Sequence, residues 1–139
     1  MTSRTIVVAD DDGDIRLMIH CALSADGLDV LEVADGLAAL EVLERQDAAA
    51  LVTDVSMPRL DGAQLVAALR ERHSTLPVVV TTGLYDDDAR MHSLMRQPGV
   101  RILPKPFRTS DLRRVVLESV LGGTPIDSPQ LGATSLQRS

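Results

Sequence analysis

The chain is poor in aromatic and sulfhydryl side chains. Its 139 residues include one Tyr, one Phe, one Cys and no Trp. A single cysteine excludes an internal disulfide and is typical of a reducing compartment. Because aromatic side chains are nearly absent, the core has to be built from aliphatic residues and Met. The composition, with 45% hydrophobic and 24% charged residues, is that of a globular chain, and the length predicts one domain.

Long apolar runs and an excess of positive charge are also missing. No run approaches the roughly 20 apolar residues that span a bilayer, and no apolar signal region follows the first residues. The formal net charge of −6 argues against direct DNA binding and against a basic membrane-binding surface. We therefore expect a soluble, cytoplasmic protein that does not insert into membranes.

Short apolar runs alternate five times with segments of helical period. The runs predict strands at residues 5–9, 28–33, 50–53, 78–82 and 100–103. The segments between and after them predict helices around residues 15–23, 36–45, 62–72 and 86–96, and a last helix capped by Thr109 or Ser110. This alternation predicts an α/β fold with a parallel, doubly wound sheet that carries helices on both faces. The second strand alternates more than the others and is expected at an edge.

The composition changes after two consecutive glycines near residue 122. Residues 124–139 are rich in Pro, Ser, Gly, Thr and Gln, with few apolar residues and no period. Such a segment cannot bury enough apolar surface to offset its conformational entropy. We predict a domain over residues 1–122 and a disordered tail over residues 123–139.

Polar side chains follow four of the predicted strands where each strand ends. They are Asp10, Asp11 and Asp12 after the first strand, Asp54 after the third, Thr81 and Thr82 at the end of the fourth, and Lys105 after the fifth. Ligands of open parallel sheets bind at the carboxyl ends of the strands. We therefore expect these side chains to share one site.

The residue types at this site indicate its chemistry. Clustered carboxylates repel one another, and a divalent cation removes that cost. Because the candidate ligands are oxygens, with no His or Cys beside them, they favour a hard cation such as Mg²⁺. A metal ion beside a lysine and a hydroxyl suits a phosphoryl group. With a phosphoryl group there, a carboxylate oxygen of Asp54 is the expected nucleophile and would form an acyl phosphate.

Four motifs, in this order and each at a strand end, resemble those of a known family. They are Ile6-Val-Val-Ala-Asp10-Asp11-Asp12, Leu51-Val-Thr-Asp54-Val-Ser-Met-Pro58 with Asp61-Gly62, Pro77-Val-Val-Val-Thr-Thr82-Gly83, and Leu103-Pro-Lys105-Pro106-Phe107. Over roughly residues 4–121 the chain resembles the receiver domain of two-component response regulators. The resemblance implies a flavodoxin-like sheet in the order 2-1-3-4-5.

The resemblance also implies a role for each site residue. Asp54 would be the phosphoacceptor, Lys105 would pair with the phosphoryl group, and Thr82 would move to hydrogen-bond it and so transmit the state of Asp54. Asp11, Asp54 and the backbone carbonyl of Ser56 would bind Mg²⁺ directly, and Asp10 would act largely through water.

The implied function is phosphorelay signal transduction. The receiver would take a phosphoryl group from a phosphohistidine of a histidine kinase or a histidine phosphotransfer protein, and would signal to a downstream protein by contact. We expect no turnover of outside substrates, only the domain's own phosphorylation and slow dephosphorylation. A receiver excised from a larger regulator or hybrid histidine kinase is an alternative within the same class.

Three other interpretations of the same residues are weaker. A small Mg²⁺-dependent phosphatase with an Asp nucleophile typically carries a second Asp two positions later, where this chain has Ser56. An electron carrier would place a flavin phosphate against the acidic first loop. A degenerate receiver would lack some of the site residues that this chain retains.

Two positions depart from the family pattern. Ile102 stands where an aromatic residue is common, and Gly83 stands where Ala is common.

The fourth helix, fifth strand and fifth helix share basic and methionine side chains that suit a homodimer or partner face, with an ordinary solvated face as the alternative. These residues are Arg90, Met91, Met95, Arg96, Arg101, Arg108, Arg113 and Arg114.

Overall fold

Strands and helices alternate through the whole of the described chain. The computed structural model describes residues 3–72, 74–83 and 88–122. The strands are β1 (Thr5–Ala9), β2 (Asp29–Val33), β3 (Ala50–Asp54), β4 (Val78–Thr82) and β5 (Val100–Pro104). The helices are α1 (Gly13–Ser24), α2 (Gly36–Arg45), α3 (Gly62–Glu71), α4 (Ala89–Met95) and α5 (Thr109–Gly122). Within these ranges no helix combines the length and apolar character needed to cross a bilayer.

The five strands form one parallel sheet in the order β2-β1-β3-β4-β5. This confirms the predicted fold class and strand order. The three inner strands are almost entirely buried, whereas β2 and β5 are partly exposed, as expected of edges. The strand order reverses beside β1, so the carboxyl ends of β1 and β3 are adjacent at the point where such sheets bind ligands.

Each face of the sheet carries its own aliphatic core. Helices α2, α3 and α4 cover one face, and α1 and α5 cover the other. Successive side chains of a strand point to opposite faces, so a strand buried on both faces needs a continuous apolar run. The first core receives Val7, Leu51, Val78 and Val80, and the second receives Ile6, Val8, Val52 and Val79. This packing explains why β1 and β4 do not alternate in sequence.

Four helices begin at an aspartate whose carboxylate accepts backbone N–H groups of the first turn. These N-cap residues are Asp12, Asp35, Asp61 and Asp88. Such a cap contributes about 1 kcal/mol to stability. The caps fix where each helix starts after its loop, and therefore where the loops at the carboxyl edge of the sheet lie.

The structure differs from the predicted helix boundaries in two places. Helix α4 begins at Ala89 because Asp88 caps it, and residues 86 and 87 of the predicted helix lie outside the described residues. Helix α5 already includes Thr109, so the predicted cap was placed too late. The Leu112 N–H donates to the Arg108 carbonyl at 3.1 Å, which starts the helical pattern at Arg108. The predicted tail, residues 123–139, also lies outside the described residues.

Gly62 allows α3 to start directly against the end of β3. Its N–H donates to the Val55 carbonyl at 2.8 Å. A Cβ atom at this position would lie 2.5 Å from the carbonyl oxygen of Asp54. A side chain would therefore push α3 away from the strand end that carries Asp54.

Candidate functional site

The polar residues predicted at the strand ends meet at one edge of the sheet. Asp10 follows β1, Asp54 ends β3, Thr82 ends β4 and Lys105 follows β5. Asp54 lies in register with Thr81. The Lys105 N–H donates to the Thr82 carbonyl at 2.7 Å, which ties the end of β5 to the end of β4. The main chain of the sheet thus determines the spacing of these side chains.

Three carboxylates form a cluster at this edge. Asp10, Asp11 and Asp54 each offer one oxygen, and these oxygens all lie within 4.8 Å of one another. Asp10 is buried, with 1% of its surface exposed; Asp54 is 9% exposed, and Asp11 is exposed. The cluster therefore has a closed side formed by Asp10 and an open side formed by Asp11.

Lys105 is the cation that faces the cluster. Its Nζ atom lies 3.4 Å from Oδ2 of Asp54 and 3.5 Å from Oδ2 of Asp10. Both distances exceed the ~2.7–2.9 Å of a tight charge-assisted hydrogen bond. One ammonium group between two carboxylates, with a third nearby, leaves the site with an excess of negative charge.

Asp10 is a buried carboxylate with few compensating contacts. Its Oδ1 accepts the Asp12 N–H at 2.9 Å, while its buried Oδ2 has no short hydrogen bond among the described residues and only the 3.5 Å ion-pair contact with Lys105. Burial raises the pKa of Asp10, the negative charge of Asp54 raises it further, and the Asp12 N–H and Lys105 partly offset the rise. A buried acceptor without a short hydrogen bond is rare in proteins, so this oxygen is available to a bound ligand.

Asp54 is held by the start of the following loop. Its Oδ1 accepts the Val55 N–H at 2.8 Å, and its Oδ2 faces Lys105. Because one oxygen is anchored to the main chain, the carboxylate has a defined orientation. Only 12% of the side chain is exposed, so solvent reaches it from one direction.

The residues present fit a hard divalent cation. All the donors of the cluster are oxygens, which Mg²⁺ prefers, and the Oδ2 atom of Asp10, which lacks a short hydrogen bond, leaves acceptor capacity there. Asp11 and Ser56 also line one surface depression of about 590 Å³. Ser56 therefore lines the same depression as the exposed member of the cluster.

The remaining predicted residues lie at the end of β4, directly after it, and within β5. Thr82 is buried at 3% exposure. Ile102 is partly buried and packs against the core under α2, α3 and α4. A Cβ atom at Gly83 would meet no heavy atom of the described chain within 4 Å, so this position leaves open space after Thr82.

The sequence does not indicate that Arg90 lies at the mouth of the site, the depression lined by Asp11 and Ser56. Arg90 was assigned to the basic face, yet its Nη1 donates to the Ser56 hydroxyl at 3.3 Å, and it lines the same depression as Asp11. Arg113, assigned to the same face, instead pairs with Asp26 at 2.7 Å. The predicted basic face therefore does not include Arg90 and Arg113. No sequence pattern indicates where a long, flexible side chain ends.

The sequence also does not indicate that Arg16 contacts the main chain of the cluster. Arg16 of α1 donates from Nη1 to the carbonyl oxygen of Asp10 at 2.6 Å, and its Nε lies 3.3 Å from Glu32. Glu32 also contacts His20 at 2.6 Å. These contacts hold the main chain of Asp10 between α1 and β2.

The sequence matches a known family over most of its length. A family model described as the response regulator receiver domain matches residues 6–117. The chain is 37% identical over 100 residues to the DNA-binding transcriptional regulator NtrC of Escherichia coli K12, covering 72% of this chain and 21% of NtrC. It is 38% identical over 108 residues to the response regulator MprA of Mycobacterium leprae, covering 77% of this chain and 46% of MprA. The chain thus spans between a fifth and a half of these two relatives.

Solved structures resemble the fold along nearly their whole length. The receiver domain of the sensor histidine kinase PA1611 from Pseudomonas aeruginosa, solved with a magnesium ion in its active-site cleft, has a TM-score of 0.76 and 26% identity, covering 86% of this chain and 98% of that one. The chemotaxis protein CheY4 of Vibrio cholerae has a TM-score of 0.75 and 25% identity, covering 87% of this chain and all of that one. The chain therefore shares its fold with these two solved structures.

Proposed function

The chain belongs to the response regulator receiver domain family, and on that premise we propose that it accepts a phosphoryl group on Asp54 in a Mg²⁺-dependent reaction. One observation carries the proposal. Asp54 lies in a cluster with Asp10 and Asp11, while the Lys105 ammonium stands 3.4 Å from its Oδ2. A nucleophilic carboxylate beside a cation and a metal-ligand set is the arrangement that phosphoryl transfer requires.

In the proposed site the chain's own oxygens hold the ion. Asp11, Asp54 and the backbone carbonyl of Ser56 bind it, and Asp10 contributes through water. When bound, Mg²⁺ would neutralise charge on the phosphoryl oxygens. The excess negative charge of the cluster and the Oδ2 atom of Asp10, which lacks a short hydrogen bond, support this assignment.

The chemical step is a displacement at phosphorus. A carboxylate oxygen of Asp54 attacks, its new bond to phosphorus forms, and the bond from phosphorus to the donor breaks with its electron pair leaving on the donor. Lys105, which faces Oδ2 of Asp54, pairs with a phosphoryl oxygen. The product is an acyl phosphate on Asp54, and slow hydrolysis by water returns the free carboxylate.

Signalling follows from groups next to the acyl phosphate. Thr82 ends the strand beside Asp54, and its hydroxyl is proposed to move toward the phosphoryl group. Ile102, packed in the core beside α4, stands where an aromatic side chain is common: either this aliphatic side chain repacks when Thr82 moves, or the signal does not run through it.

The partners follow from the chemistry of the donor and from the relatives. We expect a histidine kinase or histidine phosphotransfer protein to supply the phosphoryl group, and a downstream protein to read the state of Asp54. Because the chain spans only part of NtrC and MprA, a role as one module of a longer regulator remains the alternative. The match to a receiver-domain family favours the proposed function over the phosphatase interpretation.

The proposal is tested by intact-protein mass after incubation with acetyl phosphate. We expect the wild-type protein to gain the mass of one phosphoryl group with Mg²⁺ and none without it. Asp54→Asn should gain nothing, because it removes the nucleophilic oxygen.

Asp12→Asn is the matched control. Asp12 is a neighbouring carboxylate outside the cluster, and Asn preserves its role as the cap of α1. This variant should gain the phosphoryl group like the wild type. A gain that survives in Asp54→Asn would show that another residue is the acceptor.

A further inference from the structure

Arg90 presents one edge of its guanidinium to the mouth of the site. Its Nε and Nη2 atoms lie 3.2 and 3.3 Å from the two carboxylate oxygens of Asp88, and its Nη1 donates to the Ser56 hydroxyl at 3.3 Å. The contact with Asp88 fixes the plane of the group, because both carboxylate oxygens are engaged. The remaining nitrogen is therefore directed away from α4 and toward the loop that follows Asp54.

The charge of Arg90 acts on the carboxylates of the site. The hydrogen bonds with Asp88 raise the pKa of Arg90, and the negative charges of Asp61 and Asp54 raise it further. Arg59 lines the same depression and pairs with Asp35 at 3.1 Å, as Arg90 pairs with Asp88, but of these two arginines it is Arg90 that contacts Ser56 among the described residues. Arg90 is thus a positive charge near Asp54. Its sign is opposite to that of the carboxylate cluster, so it attracts an anionic phosphodonor that the cluster repels.

The hydrogen bond to Ser56 is one that an anion can replace. A hydroxyl is a neutral acceptor, and the 3.3 Å distance is long for a hydrogen bond. A phosphoryl oxygen is a charged acceptor, whose bonds to guanidinium are roughly twice as strong as neutral ones. Arg90 loses little by leaving Ser56 and gains more by contacting a phosphoryl group.

We propose that Arg90 binds the phosphoryl group of the incoming donor and so sets the rate at which Asp54 is phosphorylated. The inference rests on the proposed function of Asp54. The ligand class is a dianionic phosphoryl group, carried by a small acyl phosphate or by phosphohistidine. With acetyl phosphate, the Asp54 oxygen bonds to phosphorus, the bond from phosphorus to the acetyl oxygen breaks, and acetate leaves with the electron pair.

The test compares second-order rate constants of phosphorylation with Mg²⁺, followed by intact-protein mass. Arg90→Gln should lower the rate constant with acetyl phosphate roughly fivefold to tenfold, at or just below the ~10-fold lower limit for charge steering, because Asp88 partly neutralises the arginine. Arg45→Gln removes the same charge at the end of α2, which leads into the opposite edge of the sheet, and should leave the rate constant unchanged.

Asp88→Asn separates a charge effect from a structural one. Asn preserves the cap of α4 but removes the negative charge beside Arg90. We expect the rate constant to rise roughly twofold to fivefold, opposite to Arg90→Gln, since the mouth becomes more positive. The dependence on ionic strength should also be steeper than in Arg90→Gln.

Phosphoimidazole serves as the second probe, because it carries the phosphorus–nitrogen bond of phosphohistidine. A contact with the phosphoryl group predicts the same loss in Arg90→Gln for both donors. A loss confined to acetyl phosphate would overturn the proposal, since Arg90 would then contact the acetyl end.

Two further outcomes would overturn it. Arg90→Gln could react like Arg45→Gln, or Asp88→Asn could slow the reaction as Arg90→Gln does, which would make the pair structural. Failure of the proposed function is seen separately, in a wild-type protein that gains no phosphoryl group at all.

Discussion

At the scale of single residues, the site is an unbalanced set of charges. Three carboxylates face one ammonium group, and the most deeply buried of them, Asp10, has an oxygen without a short hydrogen bond among the described residues. Burial raises the pKa of Asp10, so its charged form is held at a cost in free energy. This cost falls at the carboxylate cluster, where a bound cation would remove it.

Mg²⁺ is therefore expected to stabilise the folded protein. At a free concentration 100 times its dissociation constant, an ion that binds only the folded state adds about 2.7 kcal/mol to the free energy of unfolding. The measurement is urea unfolding followed by circular dichroism, with Mg²⁺ and with Na⁺ at equal ionic strength.

Asp11→Asn should lose most of this stabilisation, because Asp11 is the exposed ligand of the cluster. Asp14→Asn, which changes an exposed carboxylate in the first turn of α1, should retain it. Equal stabilisation of wild type and Asp11→Asn would contradict the assigned ligand set.

At the scale of helices and strands, ion pairs join elements that are distant in sequence. Arg113 of α5 donates from Nη2 and Nε to the two carboxylate oxygens of Asp26, at 2.7 and 2.9 Å. Asp26 belongs to the turn after α1, so this two-point contact holds α5 against α1 on one face of the sheet. The hydrogen bonds from Arg113 lower the pKa of Asp26.

Stability should therefore depend on this pair in a pH-dependent way. Because the folded-state pKa of Asp26 is lowered, its contribution is complete above the ordinary value of 3.8 and is lost as the pH falls through the folded-state pKa below it. Arg113→Gln should be less stable than wild type at neutral pH, and the difference should shrink below pH 3.8. Chemical unfolding across this range measures both.

Arg114→Gln is the control for this prediction. Arg114 pairs with Asp111 at 3.3 Å on the same helix, and both side chains are exposed. Such exposed pairs contribute little. If Arg113→Gln and Arg114→Gln show the same pH profile, the contact between α5 and the turn after α1 does not contribute as described.

At the scale of the whole molecule, part of the α4–β5–α5 face carries exposed basic and methionine side chains. Met95 is 65% exposed at the end of α4, and Arg96, Arg108 and Arg114 are also exposed, although Arg114 pairs with Asp111 at 3.3 Å. Arg101 pairs with Glu118 at 2.7 Å. On a protein of net charge −6 these arginines make a local basic surface beside an exposed methionine. We propose this reduced set as the surface for a homodimer or a downstream partner.

Reversing a charge on this surface should change self-association. Arg114→Glu is expected to lower the dimer dissociation constant by on the order of tenfold, equivalent to about 1.4 kcal/mol, because a negative charge would then face the arginines of the second copy. Sedimentation velocity with and without acetyl phosphate and Mg²⁺ measures the effect. Arg45→Glu on α2 is the control, and association of Arg114→Glu that matches this control would rule out the surface.

Local patterns in the sequence were sufficient to predict the α/β fold class and the polar residues that stand at the strand ends. Apolar period, β-branched runs and aspartate caps act within one element, so they predicted the five strands, the parallel sheet and the position of Asp54. The helix starts at Ala89 and Thr109 were less well predicted, because a cap depends on which of several polar residues points at the backbone.

The sequence by itself determined which elements form and which residues end the strands, because those depend on contacts between near neighbours in the chain. Only the tertiary structure decided where the long charged side chains go. Arg90 reaches Ser56 from 34 residues away, and Arg113 reaches Asp26 from 87 residues away. It also decided how deeply Asp10 is buried, since burial depends on the packing of neighbouring strands and helices, which no local pattern contains.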